Sequence, residues 1–236
     1  MDIERLRREF PARRIDYYPA IDSTMRAAVG LERGSVVLAG EQTDGQGRHG
    51  RRWHSEPESG IYCSVVLKPA PALTLALGLA TADAMQRAPG IVCDLRWPND
   101  VMLTGKKVAG ILVRVADGNA IAGIGINVNQ TLFPVELASE ATSLRLHTDA
   151  PVSLTGILLH LLPAIDAFVG LDKDTLLRRF ASASSYAAGR RVTVTQPDGA
   201  IEGTTAGLDP AGFLIVRKDD GTDTLIVAGG VRAAGS

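Results

Sequence analysis

The sequence predicts an α+β protein: a mixed, mainly antiparallel sheet flanked by helices up to about residue 187, then a small β-barrel over residues 188–236. Strand-like and helical segments are interspersed through the N-terminal part, as a sheet with helical cover requires. Residues 91–129 read as strands joined by tight turns with no helix between them, which makes an antiparallel meander. After a change of composition near "AAGRR", about 45 residues read as four or five short strands divided by "PDG", "DPAG" and "DDG" turns, the pattern of a small barrel.

The elements follow in order. "DIERLRREF" places Ile3, Leu6 and Phe10 at helical spacing, and Pro11 ends the helix before a short strand in "RIDYYPAI". "DSTMRAAVGLERG", residues 22–34, reads as a helix capped by Asp22 or Ser23 and closed by Gly34. "SVVLAGEQT" and "GIYCSVVLKP" are strands of apolar and β-branched residues on either side of a glycine-rich loop, the second ending at Pro69. "PALTLALGLATADAMQRAPG" is apolar on more than one face, so a largely buried helix is expected. The meander is "IVCDLRW", "DVMLTGKKVAGILVRV" and "ADGNAIAGIGINVN", turning at "TGKK" and "DGN". Helices return in "VSLTGILLHLLPAIDAFVG" and "KDTLLRRFASASSYA".

Composition narrows the function classes. The chain has 236 residues, 45% of them hydrophobic and 22% charged, with a formal charge of -1. That excludes a disordered tail and a bulk polyanion binder, so any anion site is local. Cys63 and Cys93 each lie within an apolar segment, which fits reduced thiols better than a disulfide or a metal site. No apolar run reaches the roughly 18 residues of a membrane span, and the charged start lacks a secretory h-region. A cytoplasmic protein without a membrane partner is expected.

The loop "EQTDGQGRHGRRW", residues 41–53, carries the densest chemistry. Gly45, Gly47 and Gly50 have G-x-G-x-x-G spacing, but "RRWHSEPESG" follows where a dinucleotide fold needs a helix, and Lys68 stands in the region where it needs an acid. No Lys-Ser/Thr pair follows the last glycine, so it is not a P-loop either. Two readings of the residues stay open: a solvated surface loop, or a glycine loop whose fixed positive charges close over a small anionic ligand.

Two further strings, "RWPNDVMLTGKKVAGILVR" at 96–114 and "GIGINVN" at 123–129, stand with "GQGRHGRRW" in one order and spacing. Together the three motifs resemble the biotin protein ligase family, over the chain from "DST" at residue 22 to "GGVR" near the end. The resemblance implies a class II synthetase-like catalytic domain over residues 1–187 and an SH3-like barrel over 188–236. It implies ATP-dependent activation of biotin to biotinyl-5'-AMP, with transfer to a lysine of a biotin carboxyl carrier domain. The competing readings are a lipoate-type ligase and a non-catalytic biotin- or nucleotide-binding module.

The resemblance also assigns residues. Lys107 is the lysine that reaches the biotin carboxylate and the α-phosphate, with its neighbour Lys106 turned away because strand residues alternate faces. Arg48 and Arg51 lie over the carboxylate and phosphates, while Arg52 faces water. Ser23, Thr24 and Gln42 take the ureido group of biotin, and Gly45, Gln46, Gly47 and Gly110 complete its pocket. Ser23 has the alternative role of a plain helix cap, and His49, a polar residue flanked by arginines, is assigned no role. Asn99, Asp100 and Asn127 are the nucleotide-side residues, Trp53 covers adenine or biotin, and Trp97 belongs to the core. ATP comes with Mg²⁺ as co-substrate, held largely by phosphate and water, so no dedicated metal motif and no tightly bound prosthetic group are expected.

Two departures from the family pattern are visible. Gln46 stands where many relatives carry arginine, and Arg96 replaces the commoner lysine before "WPND". About 20 residues precede "DST", short of the roughly 60 that a winged DNA-binding domain needs, so a ligase without operator binding is expected. The outer edge of the meander offers a place for a second copy to pair, giving a homodimer.

Overall fold

The structure is a computed structural model that describes residues 1–196 and 199–234. Its main sheet has seven strands in the order β1-β2-β3-β7-β6-β5-β4. These are β1 Ile15–Tyr18, β2 Val36–Ala39, β3 Gly60–Leu67, β4 Asp94–Arg96, β5 Asp100–Leu103, β6 Lys106–Ala116 and β7 Asn119–Asn127. The β1–β2 ladder is parallel and the others are antiparallel, which is the mixed sheet expected from the sequence. Strands β4 to β7 are the meander. Its two tight turns have both central residues in the left-handed region, Thr104 (φ 49°) with Gly105 (φ 81°) and Asp117 (φ 50°) with Gly118 (φ 71°). That is the twist that matches a two-residue hairpin.

Alternation along β3, β6 and β7 divides the sheet into two faces. One face packs Ile61, Cys63, Val65, Ala109, Ile111, Ile124 and Ile126 against the helices α1 Ile3–Glu9, α3 Leu73–Arg87, α4 Leu154–Val169 and α5 Lys173–Ala183. Leu6 of α1 is wholly buried in this core. The opposite face holds only a small apolar cluster, Met25, Ala28, Val37, Val66 and Ile121, under the short helix α2 Thr24–Ala27. The rest of that face is left to a cleft.

Helix α2 is much shorter than the expected 22–34 helix. Val29 is followed by Gly30 at φ 80°, which turns the chain out of the helix within two turns of its start. Ser23 stands at its N-cap position without a side-chain capping bond.

Residues from 188 onward form a second sheet, order β11-β10-β9-β8-β12. Its strands are β8 Ala188–Gln196, β9 Gly199–Leu208, β10 Leu214–Arg217, β11 Asp223–Ile226 and β12 Gly230–Ala233, all antiparallel. No ladder joins β11 to β12 among the described residues, so the expected barrel is seen as a five-stranded sheet. The "DPAG" turn is held by Asp209, whose carboxylate accepts from the Ala211 and Phe213 N–H groups. Pro197 and Asp198 of the expected "PDG" turn lie outside the described residues.

The meander's outer strand is not a bare edge. The Leu95 carbonyl accepts from Ser184 Oγ at 2.6 Å, and the Asp94 carboxylate takes the N–H and hydroxyl of Ser185. Cys63 is buried, Cys93 is partly buried, and both are free thiols. No helix among the described residues is long and apolar enough to cross a membrane.

Candidate active site

The floor of the cleft is made of glycine. Gly110 of β6 lies opposite Gly125 of β7, and Leu112 opposite Gly123. A Cβ at Gly110 would stand 2.9 Å from Trp53 Cζ3 and from Lys107 Nζ, and one at Gly125 would collide with the Trp53 indole. The two glycines therefore admit the tryptophan of the 41–53 loop onto the sheet. The indole Nε1 is buried without a hydrogen-bond partner. The cavity that remains is about 50 Å³.

A polar network lines one wall. Gln42 Oε1 accepts from the Thr24 N–H at 2.9 Å and from Thr24 Oγ1 at 3.0 Å, and Thr24 Oγ1 also meets Ser64 Oγ at 2.8 Å. Beside it the Ser23 hydroxyl is fully buried and has no partner. Buried hydroxyls are normally satisfied, so Ser23 Oγ and Trp53 Nε1 are two groups poised for an incoming partner.

Cations gather around Asp100. Lys107 Nζ lies 2.6 Å from Asp100 Oδ1, and Arg96 Nη2 lies 2.7 Å from Asp100 Oδ2. Burial pushes the Asp100 carboxyl up, but Lys107 and Arg96 outweigh it and hold it below the ordinary carboxylate value. The Lys107 ammonium is 5.4 Å from the Trp53 ring centroid, within cation–π range. Arg48 Nη1 donates to Asn99 Oδ1 at 2.7 Å and to the Gly229 carbonyl of the C-terminal sheet at 3.3 Å. Asn99 is fixed in turn by Ile111, accepting its N–H on the backbone carbonyl and donating from Nδ2 to the Ile111 carbonyl. Burial pulls the Arg48 guanidinium below its usual value, with the Asp100 charge opposing and the Arg51 charge adding to the effect.

The loop is folded on itself. Trp53 N–H donates to the Gly45 carbonyl, Gly47 N–H to the Arg51 carbonyl, and Gln46 bridges Arg52, with a turn at Arg48–Gly50. Gly45 and Gly47 serve close approach: a Cβ on them would stand 2.8 Å from the Trp53 carbonyl and 3.0 Å from the Arg51 carbonyl. Only His49 (φ 56°) and Gly50 (φ 73°) take the left-handed turn. The glycines are thus spacers of a miniature hairpin.

Of the sequence-derived candidates, Thr24, Gln42, Gln46, Gly47, Arg48, Trp53, Asn99, Lys107 and Gly110 line the cavity. Asp100 joins it through Lys107, and Ser23 and Gly45 are buried at its margin. Arg51 is not in it: its side chain is exposed and pairs with no described residue. Asn127 is also outside, its amide donating to the Thr142 carbonyl at 3.0 Å. Lys106 turns away to the Ala138 carbonyl, and Arg52 is exposed beside Asp44. Trp97 is core, its Nε1 donating to the Gly212 carbonyl.

A model of the biotin/lipoate A/B protein ligase family matches residues 17–130, and one of the biotin protein ligase C-terminal domain matches residues 188–231. A biotin–[acetyl-CoA-carboxylase] ligase of Mycobacterium tuberculosis is 35% identical over 223 residues, 89% of this chain and 82% of that protein. The chain belongs to the biotin protein ligase family. The bifunctional ligase/repressor BirA of Bacillus subtilis is 32% identical over 240 residues, 92% of this chain and 73% of that one. The biotin protein ligase of Aquifex aeolicus in complex with biotin and ATP matches with a TM-score of 0.85 at 30% identity, covering 94% of this chain and 99% of that chain.

Sequence reasoning missed four parts of this ligase cleft: the Gly123–Gly125 floor, Ser64, the Arg96–Asp100 pair and the Gly229 contact. The first had a signal, since glycines two apart in a strand face the same side. The last three depend on register and on a contact between sheets.

Proposed function

We propose that the chain activates biotin with ATP to biotinyl-5'-AMP and then transfers the biotin to a lysine of a biotin carboxyl carrier domain. One observation carries this: a single cavity gathers the Thr24–Gln42 network and two cations, Lys107 and Arg48. Biotin needs both, a few fixed polar groups for its ureido ring and positive charge at its carboxylate.

The first step brings that carboxylate onto the α-phosphate of ATP. Two unit charges about 4 Å apart repel by roughly 4 kcal/mol at an effective dielectric near 20. Lys107 offsets this by leaving Asp100 for the reacting oxygens, and Arg48 adds a planar multi-donor head. Pyrophosphate leaves. In the second step the carrier lysine amine attacks the acyl carbon and AMP departs. Ser23, Thr24 and Gln42 take the ureido group, and Gly45, Gln46, Gly47 and Gly110 line its surroundings. Asn99 and Asp100 face the nucleotide, Asn127 supports that side through Thr142, and Arg51 reaches the phosphates from the loop tip. Trp53 covers the bound intermediate and keeps water from the anhydride.

ATP enters as its Mg²⁺ complex. That ion is carried largely by phosphate oxygens and water in this reading.

Residues 1–187 form the catalytic unit and 188–236 the appended one in this reading. In this reading the chain works in the cytoplasm on a protein substrate. A homodimer would use a surface other than the meander edge, which Ser184 and Ser185 cover.

Incubation of the chain with ATP, a carrier domain, and biotin or lipoate tests the proposal. Pyrophosphate release and carrier labelling with biotin alone are expected. Labelling with lipoate instead would reassign the substrate, and binding without pyrophosphate would reduce the protein to a binding module.

A further inference from the structure

Arg96 is a cation beside the cleft that the proposed chemistry leaves idle. It ends β4, and Asp100 begins β5 directly opposite in register across the Trp97-Pro98-Asn99 turn. Its Nε and Nη2 both donate to the same carboxylate oxygen, Asp100 Oδ2, at 3.2 and 2.7 Å. Lys107 takes the other oxygen. The three side chains are each less than one-third exposed, so solvent screens them only partly.

This division of one carboxylate has a consequence. A carboxylate with both oxygens free closes on an ammonium and holds it; one already saturated on Oδ2 offers a single, directed acceptor. We infer that Arg96 is a positioning residue for Lys107: by fixing Asp100 through Oδ2, it parks the lysine amine at the cleft with one releasable contact. When an anionic ligand arrives, Lys107 transfers to it and Asp100 keeps Arg96 as its partner, so no buried charge is stranded. A lysine at position 96 would supply the charge, while the guanidinium also supplies two donors to one oxygen.

The inference rests on the proposed ligase reading, so its test has two readouts. Biotin- and ATP-dependent pyrophosphate exchange by the full chain is compared over a range of pH for the native protein, Arg96→Lys and Arg96→Met. In parallel, the Asp100 carboxyl is titrated by NMR in the ligand-free proteins. The groups facing Asp100 are Arg96 on β4, Lys107 on β6 and Arg48 on the loop. Without Arg96 one of these cations is gone, so Asp100 protonates at higher pH. Arg96→Met is expected to lower kcat about tenfold with KM for biotin changed less than about twofold, and to move the acid limb of the profile and the Asp100 midpoint upward together. Arg96→Lys is expected to restore most of kcat and both midpoints. An unmoved Asp100 midpoint in Arg96→Met, or equal losses in the Lys and Met variants with an unmoved acid limb, overturns the inference. If Arg96→Met does not fold, Arg96→Gln replaces it with the same expectations. Absence of exchange in the native protein would count against the ligase reading alone, since the NMR titration still decides the role of Arg96.

Discussion

At the scale of single residues, the cleft is set by where side chains are missing and where charges are shared. Gly125 has no Cβ because the Trp53 indole lies there. Gly125→Ala should expel the indole, shift tryptophan emission to the red and weaken biotin binding by about tenfold or more, in line with an overpacking cost of about 1–3 kcal/mol. Asp100 gives a second expectation. Its folded-state pKa is depressed, so its stabilisation is present above its unfolded value and lost as pH falls through the folded one. Asp100→Asn leaves Lys107 and Arg96 facing each other without an anion, and should cost about 3–5 kcal/mol near neutral pH. Denaturant midpoints should show that gap narrowing on acidification. Lys107 was legible through the family likeness of "GKKVAG", while strand alternation said only that one lysine of the pair faces the cleft. The sharing of Asp100 was not, because it follows from a one-to-one register across the Trp97-Pro98-Asn99 turn that composition does not encode.

Among the elements, the meander was the most readable, because "TGKK" and "DGN" put glycine and small polar residues where positive φ is needed. The 22–34 helix was the least, since apolar spacing continued past Gly30 while the backbone did not. The 41–53 loop lies between these cases: its charges left a solvated loop and an anion site both open until the family likeness was seen, and its internal pairing of Gly45 with Trp53 and Gly47 with Arg51 is a tertiary fact. Arg48 joins this loop to the β4–β5 turn through Asn99 and to the second sheet through Gly229. Arg48→Ala should leave the elements folded and release free biotinyl-5'-AMP about ten to a hundred times faster, measured as intermediate escaping before carrier is added. Unchanged escape would remove Arg48 from the cover.

For the whole molecule, one sheet performs two tasks with its two faces. The helical face supplies the apolar burial that holds the fold, and the other, almost bare of apolar cover, supplies the cleft. The second sheet meets the first where Trp97 donates to Gly212 and Arg48 to Gly229, so the appended unit touches Arg48 of the cleft directly. The division into a larger sheet and a later small one could be read from turn spacing, whereas those two contacts could not, being made between residues 115 and 181 positions apart. The central claim is that a lysine parked on Asp100 moves to the reacting acids and cancels their repulsion. The pyrophosphate-exchange rate of Lys107→Ala, measured with saturating biotin and ATP, tests it most directly. A fall of about 10² to 10³ in kcat with the fold intact is expected; a rate within about twofold of the native protein would contradict the account.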